Sequence, residues 1–355
     1  MAYAIAIRME HGPYAGFREY PNPNWSIVMQ APEKNLAFDL VRVTESAALS
    51  AARWLGKGDK EAGDGAAVDA MRLSFNSLGL DGVVIIGEGE KDKAPMLYNG
   101  EQVGDGDGPA VDVAVDPVEG TRLLANGRPN AISVIGVCRK GCMYNPGPSF
   151  YMQKIVVGRE ARNVIDIDAP VKDNLGHIAK ALGKDINDLV VFVLDKPRHA
   201  KLIGDIRSAG ARIQLHTDGD VAGALMVADP RSDVDVMMGT GGTPEGVIAA
   251  CAIKGVGGQM LCRLDPQSYV EKENIERAGV DMREILSMES IIRADDAFFA
   301  ATGISGGDFL RGVQYTGSGA ITHSLAIRAK TGTFRYIESH HNWDRLMQFS
   351  AVQYD

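Results

Sequence analysis

From Asp39 onward, apolar residues return every three or four positions: Leu40, Val43, Ala47, Ala51 and Trp54. That spacing keeps one face of an α-helix apolar and predicts a helix closed by Gly56 and Gly58. Val68, Met71, Phe75 and Leu78 repeat the pattern and predict a second helix that follows Gly65. The stretch between them, Gly58 to Gly65, is polar and rich in glycine, and reads as a loop. The period then changes. Val83 to Ile86, Val111 to Val115, Ala131 to Val137 and Lys154 to Val157 are short apolar runs of strand length.

The second half has a clearer rhythm. Leu189 to Leu194, Ala211 to Leu215 and Val234 to Met238 read as strands. Each is followed by a polar segment and then by a helical pattern, over about 200–209, over about 220–227 and from Pro244 onward. Proline is pre-organised for a helix start. Strand–loop–helix units in succession predict an open α/β sheet. The division expected from this change of rhythm is an extension over 1–36, an α/β domain over 37–187, a second over 188–340, and a tail over 341–355. Pro13, Pro21, Pro23 and Pro32 interrupt the extension, and no period holds there.

Composition narrows the function classes. The 355 residues are 45% hydrophobic and 23% charged, as in ordinary globular proteins. With 37 basic and 46 acidic residues the net charge is −9, which disfavours a nucleic-acid partner. A small phosphorylated ligand needs only local cations. No apolar run approaches the length of a membrane span, and no secretory leader is visible. Cys138, Cys142, Cys251 and Cys262 form no CxxC framework. They read as buried, reduced thiols in a reducing, cytoplasmic setting.

The candidate chemistry is acidic. Asp116-Pro117-Val118-Glu119-Gly120-Thr121 follows a strand, and its two carboxylates suit a hard divalent cation. Thr121 brings a hydroxyl, and neighbouring amides could cradle phosphate. Glu88, Glu90 and Asp92 alternate, so an extended segment points them one way, where a cation relieves their repulsion. Asp64 stands between glycines ahead of a helix. Each segment alone also reads as a polar turn. Together they supply what metal-assisted phosphate-ester hydrolysis needs. Three later strand ends carry Lys196 with Arg198, Asp218 with Asp220, and Gly242 with Glu245. Ligands gather at such ends. The cations suit an uncleaved phosphate, the two Asp residues suit sugar hydroxyls, and Glu245 offers a further metal ligand. The glycines at 239, 241 and 242 are not a P-loop, because no Lys-Ser/Thr follows them.

These segments, with Val43-Thr44-Glu45-Ser46, Gly58-Asp59-Lys60, Ala94-Pro95-Met96-Leu97-Tyr98, Lys196-Pro197-Arg198-His199 and Pro244-Glu245-Gly246-Val247, closely resemble class II fructose-1,6-bisphosphatases of bacteria. The resemblance runs from about 36 to about 340. Asp-Pro-x-Glu-Gly-Thr also resembles the wider lithium-sensitive phosphatase superfamily. The resemblance implies a layered α/β/α/β/α sandwich and a homo-oligomer, dimer or tetramer. It implies Mn2+ or Mg2+ on Asp64, Glu88, Asp116, Glu119 and Glu245. It places a sugar bisphosphate against Glu119, Gly120, Thr121, Tyr151, Lys196, Pro197, Arg198, Asp218, Gly219, Asp220 and Gly242, with Phe150 as the alternative to Tyr151. Lys60 and Asp92 match positions close to the chemistry. Thr121 with Asp92 or Glu90 would orient or deprotonate the attacking water. Sedoheptulose bisphosphate and inositol phosphates are the neighbouring substrates, and a non-catalytic phosphosugar sensor is the distant alternative.

Overall fold

The structure is a computed structural model that describes residues 35–89 and 96–349. The extension before Asn35, together with Glu90 and Asp92, lies outside the described residues. In chain order the elements are α1 (Ala37–Ala51), α2 (Lys60–Phe75), β1 (Asp81–Ile86), β2 (Gln102–Val103), β3 (Ala110–Glu119), α3 (Thr121–Ala125), β4 (Ile132–Arg139), β5 (Tyr151–Val157), α4 (Val171–Leu182), β6 (Val190–Leu194), α5 (Ala200–Ala209) and β7 (Arg212–His216). There follow α6 (Asp220–Ala228), β8 (Val236–Gly242), α7 (Thr243–Val256), β9 (Gln259–Leu264), α8 (Tyr269–Arg277), β10 (Leu286–Ser287), α9 (Met288–Ile291), β11 (Ala297–Gly303), β12 (Gln314–Thr316), β13 (Gly319–Arg328), β14 (Thr333–Asn342) and α10 (Trp343–Phe349).

The strands form two sheets. The first runs β12-β13-β11-β4-β3-β1-β2, with β14 paired to β13. The second runs β10-β9-β5-β8-β6-β7. Strands with a helix layer on each face must be apolar all along. Thus β6 is buried at every position, and β4 at all but its last. At the margin, β14 alternates between exposed and half-buried positions.

Three cores tie five layers together. Leu40, Val43 and Ala47 of α1 and Met71 and Phe75 of α2 pack under Val113, Val115, Ile135 and Val137 on the outer face of the first sheet. The middle core joins Val134 and Phe299 of that sheet to Val221 and Leu225 of α6, Ile248 and Cys251 of α7, and Met152, Phe192 and Met237 of the second sheet. Leu175 and Ile178 of α4 and Ile206 of α5 close the far face against Ile155, Val191 and Val193. This is the expected α/β/α/β/α sandwich. All four cysteines are free and buried. Among the described residues no helix is long and apolar enough to cross a membrane.

The structure differs from the sequence reading at several boundaries. Helix α2 begins at Lys60, because Asp59 caps it by accepting a hydrogen bond from the Ala62 amide at 3.0 Å. Asp64 therefore sits inside the helix and not in a preceding loop. Strand β3 runs through Asp116-Pro117 to Glu119, and β8 runs on through the glycines to Gly242. The second sheet is mixed: β6 lies parallel to β7 and β8, while β5 lies antiparallel to β8 and β9. From Leu36 the chain forms one compact unit. The sheets interleave along it, since β5 precedes residue 188 yet joins the second sheet and β11 to β14 return to the first.

Candidate active site

A cleft of about 830 Å³ opens where the strand ends of the two sheets face one another. Asp64 and Lys60 reach it from α2, Glu88 from the turn after β1, and Asp116 and Glu119 from the end of β3. Gly120, Thr121 and Arg122 follow at the start of α3. The second sheet contributes Tyr151, Lys196, Arg198, Asp218, Asp220, Gly242 and Glu245. Residues far apart in sequence thus share one space.

Strand β3 explains how Asp116 and Glu119 share a face. Residues three apart on a regular strand point to opposite sides. Against β4, Asp116 pairs with Val134 and Glu119 with Ile132, so the register shifts between them. A bulge with Pro117 in it brings both carboxylates to the cleft. Asp116 Oδ1 also accepts the Val118 amide at 3.0 Å, which braces the turn. On the second sheet, a Cβ at Gly242 would fall 1.6 Å from Glu245 Oε2. Only glycine lets that carboxylate fold back over the strand end.

Burial and crowding oppose full ionisation of the acidic wall. Burial, then the neighbouring Glu88, Glu119, Glu245 and Asp64, hold the Asp116 carboxyl well above its ordinary range. Burial and Asp64 push Glu88 up to about 7. Burial and Asp220 push Glu119 up to about 8, against a hydrogen bond from the Val221 amide. Burial raises Asp64 and Glu245 as well. Glu119 Oε2, Asp220 Oδ1 and Glu245 Oε2 are buried without a hydrogen-bond partner. Buried, unpaired carboxylate oxygens call for a counter-charge. Among the described residues no three of these groups already close around one point as a finished metal cage. The donor set is all oxygen, suited to hard cations. Its orphaned atoms fit such ions.

The second sheet also brings two cations to the cleft, Lys196 and Arg198. Lys196 Nζ lies 3.9 Å from Asp218 Oδ1. Arg198 Nε donates to the Thr240 carbonyl at 2.9 Å, and its guanidinium lies 5.2 Å from the centre of the Tyr151 ring. Both Tyr151 and Phe150 reach the cleft, but Tyr151 is the one that meets Arg198. Gly219 sits beside Glu119, 4.0 Å from its Oε2 for a Cβ placed there. Pro197 does not line the cleft; it opens the 3-10 turn Pro197–His199 that carries Arg198.

Sequence reasoning missed Lys154. It is only 2% exposed, and its ammonium donates to Asp220 and to the Gly242 carbonyl. The signal was a lysine at the head of the apolar run Lys154 to Val157, where a buried cation requires a carboxylate nearby. Asn99 was missed too; its side-chain oxygen accepts the Gly87 amide at 3.0 Å and steadies the turn that carries Glu88.

Residues 34–341 match the model of the family "bacterial fructose-1,6-bisphosphatase, glpX-encoded". The chain belongs to this family. It is 45% identical over 325 residues to fructose-1,6-bisphosphatase 1 class 2 of Escherichia coli (strain K12), a match that covers 88% of this chain and 96% of that protein. The same figures hold for the fructose-1,6-bisphosphatases class 2 of Escherichia coli O6:H1 and of Shigella flexneri. Family membership makes the chain a hydrolase of fructose 1,6-bisphosphate, as the motifs implied.

Proposed function

We propose that the chain removes the 1-phosphate of fructose 1,6-bisphosphate in this cleft, with Mn2+ or Mg2+ held by Asp64, Glu88, Asp116, Glu119 and Glu245. One observation carries the reading: carboxylates whose ionisation burial and crowding oppose, Glu119 and Glu245 each with an unpartnered oxygen, line one cleft with the cations Lys196 and Arg198. Divalent ions on the acidic wall would polarise the phosphoryl oxygens, make water more acidic and steady the leaving alkoxide.

The chain's own groups do the rest. Lys196, Arg198 and Tyr151 anchor the phosphate that is not cleaved, with Pro197 fixing the turn beneath them. Asp218 and Asp220 accept hydrogen bonds from sugar hydroxyls. Gly120, Gly219 and Gly242 let the backbone approach the substrate. The Thr121 hydroxyl orients the attacking water, and Asp92 or Glu90 takes its proton. Lys60, whose charge opposes the burial that raises Asp64, offsets negative charge as phosphate enters.

Phosphate release from fructose 1,6-bisphosphate, sedoheptulose 1,7-bisphosphate and an inositol monophosphate, each with Mg2+ and with Mn2+, tests the reading. Fructose 1,6-bisphosphate should have the highest kcat/KM, and chelation should abolish turnover. Activity that survives exhaustive chelation, or a preference for the inositol ester, would overturn it.

A further inference from the structure

Strands β6 and β8 run parallel, yet they pair only at Val191 with Val236 and Phe192 with Met237. Beyond that point they part, and the cleft opens at their carboxyl ends. His199, 3% exposed, spans the gap. Its Nε2 lies 2.8 Å from the Thr240 amide on β8, and its Nδ1 lies 2.7 Å from the Leu194 carbonyl at the end of β6. An amide can only donate and a carbonyl can only accept. The ring is therefore neutral, with its proton on Nδ1. Burial, which lowers its affinity for a second proton, agrees, although the hydrogen bonds and Asp220 act the other way.

The ring stands where inter-strand hydrogen bonds would otherwise run. Gly239 makes room for it, since a Cβ there would meet Cε1 and Nε2 at 3.0 Å. The residue it grips, Thr240, is the same one that holds Arg198. The Thr240 carbonyl accepts Arg198 Nε at 2.9 Å, and its hydroxyl donates to Asp265 Oδ2 at 2.6 Å. With Nε tied down, the terminal nitrogens of Arg198, which lines the cleft, are the ones left to meet an anion there.

We propose that His199 is a positioning residue: its imidazole sets the width of the split between β6 and β8 and so aims Arg198 at the uncleaved phosphate. This rests on the assignment of Arg198 to that phosphate. A residue that only held the fold would slow every substrate alike. A residue that aims Arg198 matters only to substrates with a second phosphate.

Steady-state kinetics of His199→Leu, His199→Gln and Arg198→Ala, on fructose 1,6-bisphosphate and on p-nitrophenyl phosphate, separate these cases. His199→Leu should raise KM for the bisphosphate by about tenfold, a loss of about 1.4 kcal/mol. It should leave kcat/KM for p-nitrophenyl phosphate within about twofold of wild type. His199→Gln, which can accept from Thr240 and donate to Leu194, should recover most of that KM. Added to Arg198→Ala, His199→Leu should cost little more. Equal losses on both substrates would overturn the proposal. So would an unchanged bisphosphate KM in His199→Leu beside a raised one in Arg198→Ala, which leaves the Arg198 assignment intact. An unchanged KM in Arg198→Ala would remove that assignment and the proposal with it. Should His199→Leu fail to fold by circular dichroism, His199→Asn, too short to bridge both strands, decides by the same comparison: a raised bisphosphate KM beside an unchanged kcat/KM on p-nitrophenyl phosphate supports the proposal, and an unchanged bisphosphate KM or an equal loss on both substrates overturns it.

Discussion

Glu119 shows how much one residue's surroundings decide. One oxygen accepts the Val221 amide at 3.2 Å, while the other is buried without a partner. Burial and Asp220 raise its pKa to about 8, and burial and Asp64 raise that of Glu88 to about 7, both from 4.5. The metal-free folded chain therefore holds these protons more tightly than the unfolded chain does. The stability they confer is complete below 4.5 and is lost as pH rises through about 7 and 8. Buried His199, His216 and His341, whose pKa values are lowered, act in the opposite sense with or without metal. The gap in thermal midpoint between Mn2+-loaded and metal-free protein should widen from about pH 5.5 to about pH 8.5. A gap that narrows would refute the picture of an uncompensated acidic wall. Thr121 gives a second test at this scale. Thr121→Ala should lower kcat about 100-fold and leave KM nearly unchanged. Near-normal turnover would remove Thr121 from the chemistry.

At the scale of elements, strand ends make the site. The bulge in β3 turns a spacing of three into a shared face, and β8 delivers Gly242 to the point where Glu245 folds back. Gly242→Ala should displace the Glu245 carboxylate and weaken Mn2+ binding, seen by titration calorimetry, while β8 keeps its pairing with β5. Unaltered Mn2+ affinity would show that Glu245 is not a ligand. Lys154 links β5 to the start of α6 and the end of β8 through Asp220 and Gly242. Lys154→Met leaves Asp220 buried without its cation and should destabilise the protein by about 3–5 kcal/mol in urea unfolding. The elements up to α7 were legible where periodicity marked a helix or a strand, but α4 and everything from β9 onward, including β11 and β13 inside the first sheet, went unread. The ends of the legible elements were less clear. The polar run from Gly58 to Gly65 resembles a loop until the Asp59 cap is seen to start a helix at Lys60. The glycines of β8 resemble a turn until β5 pairs with them.

For the molecule as a whole, the cleft lies between the two sheets, and neither sheet is a site alone. The first side brings Asp64, Glu88, Asp116 and Glu119 with Lys60 and Arg122; the second brings Lys196 and Arg198 with Asp218, Asp220 and Glu245. Substrate with metal should therefore bridge them. Hydrogen exchange in the presence of both should slow together at 118–123 on the first sheet and at 195–200 and 218–223 on the second. At ligand about 100 times Kd, global stability should rise by about 2.7 kcal/mol. Protection confined to one sheet would contradict a shared site.

The amino-acid order alone determined most of the helices and strands up to α7, the α/β class, and the acidic and cationic residues available for chemistry. These follow from local periodicity and from side-chain type, which a linear string carries in full; the layered sandwich came from the family resemblance. Only the tertiary structure decided which of those residues meet. The β3 bulge, the buried Lys154 beneath Asp220 and the His199 ring between parting strands each depend on contacts between segments distant in the chain. Burial, which raises the carboxylate pKa values and leaves their oxygens unpaired, exists only once both sheets have packed on α6 and α7.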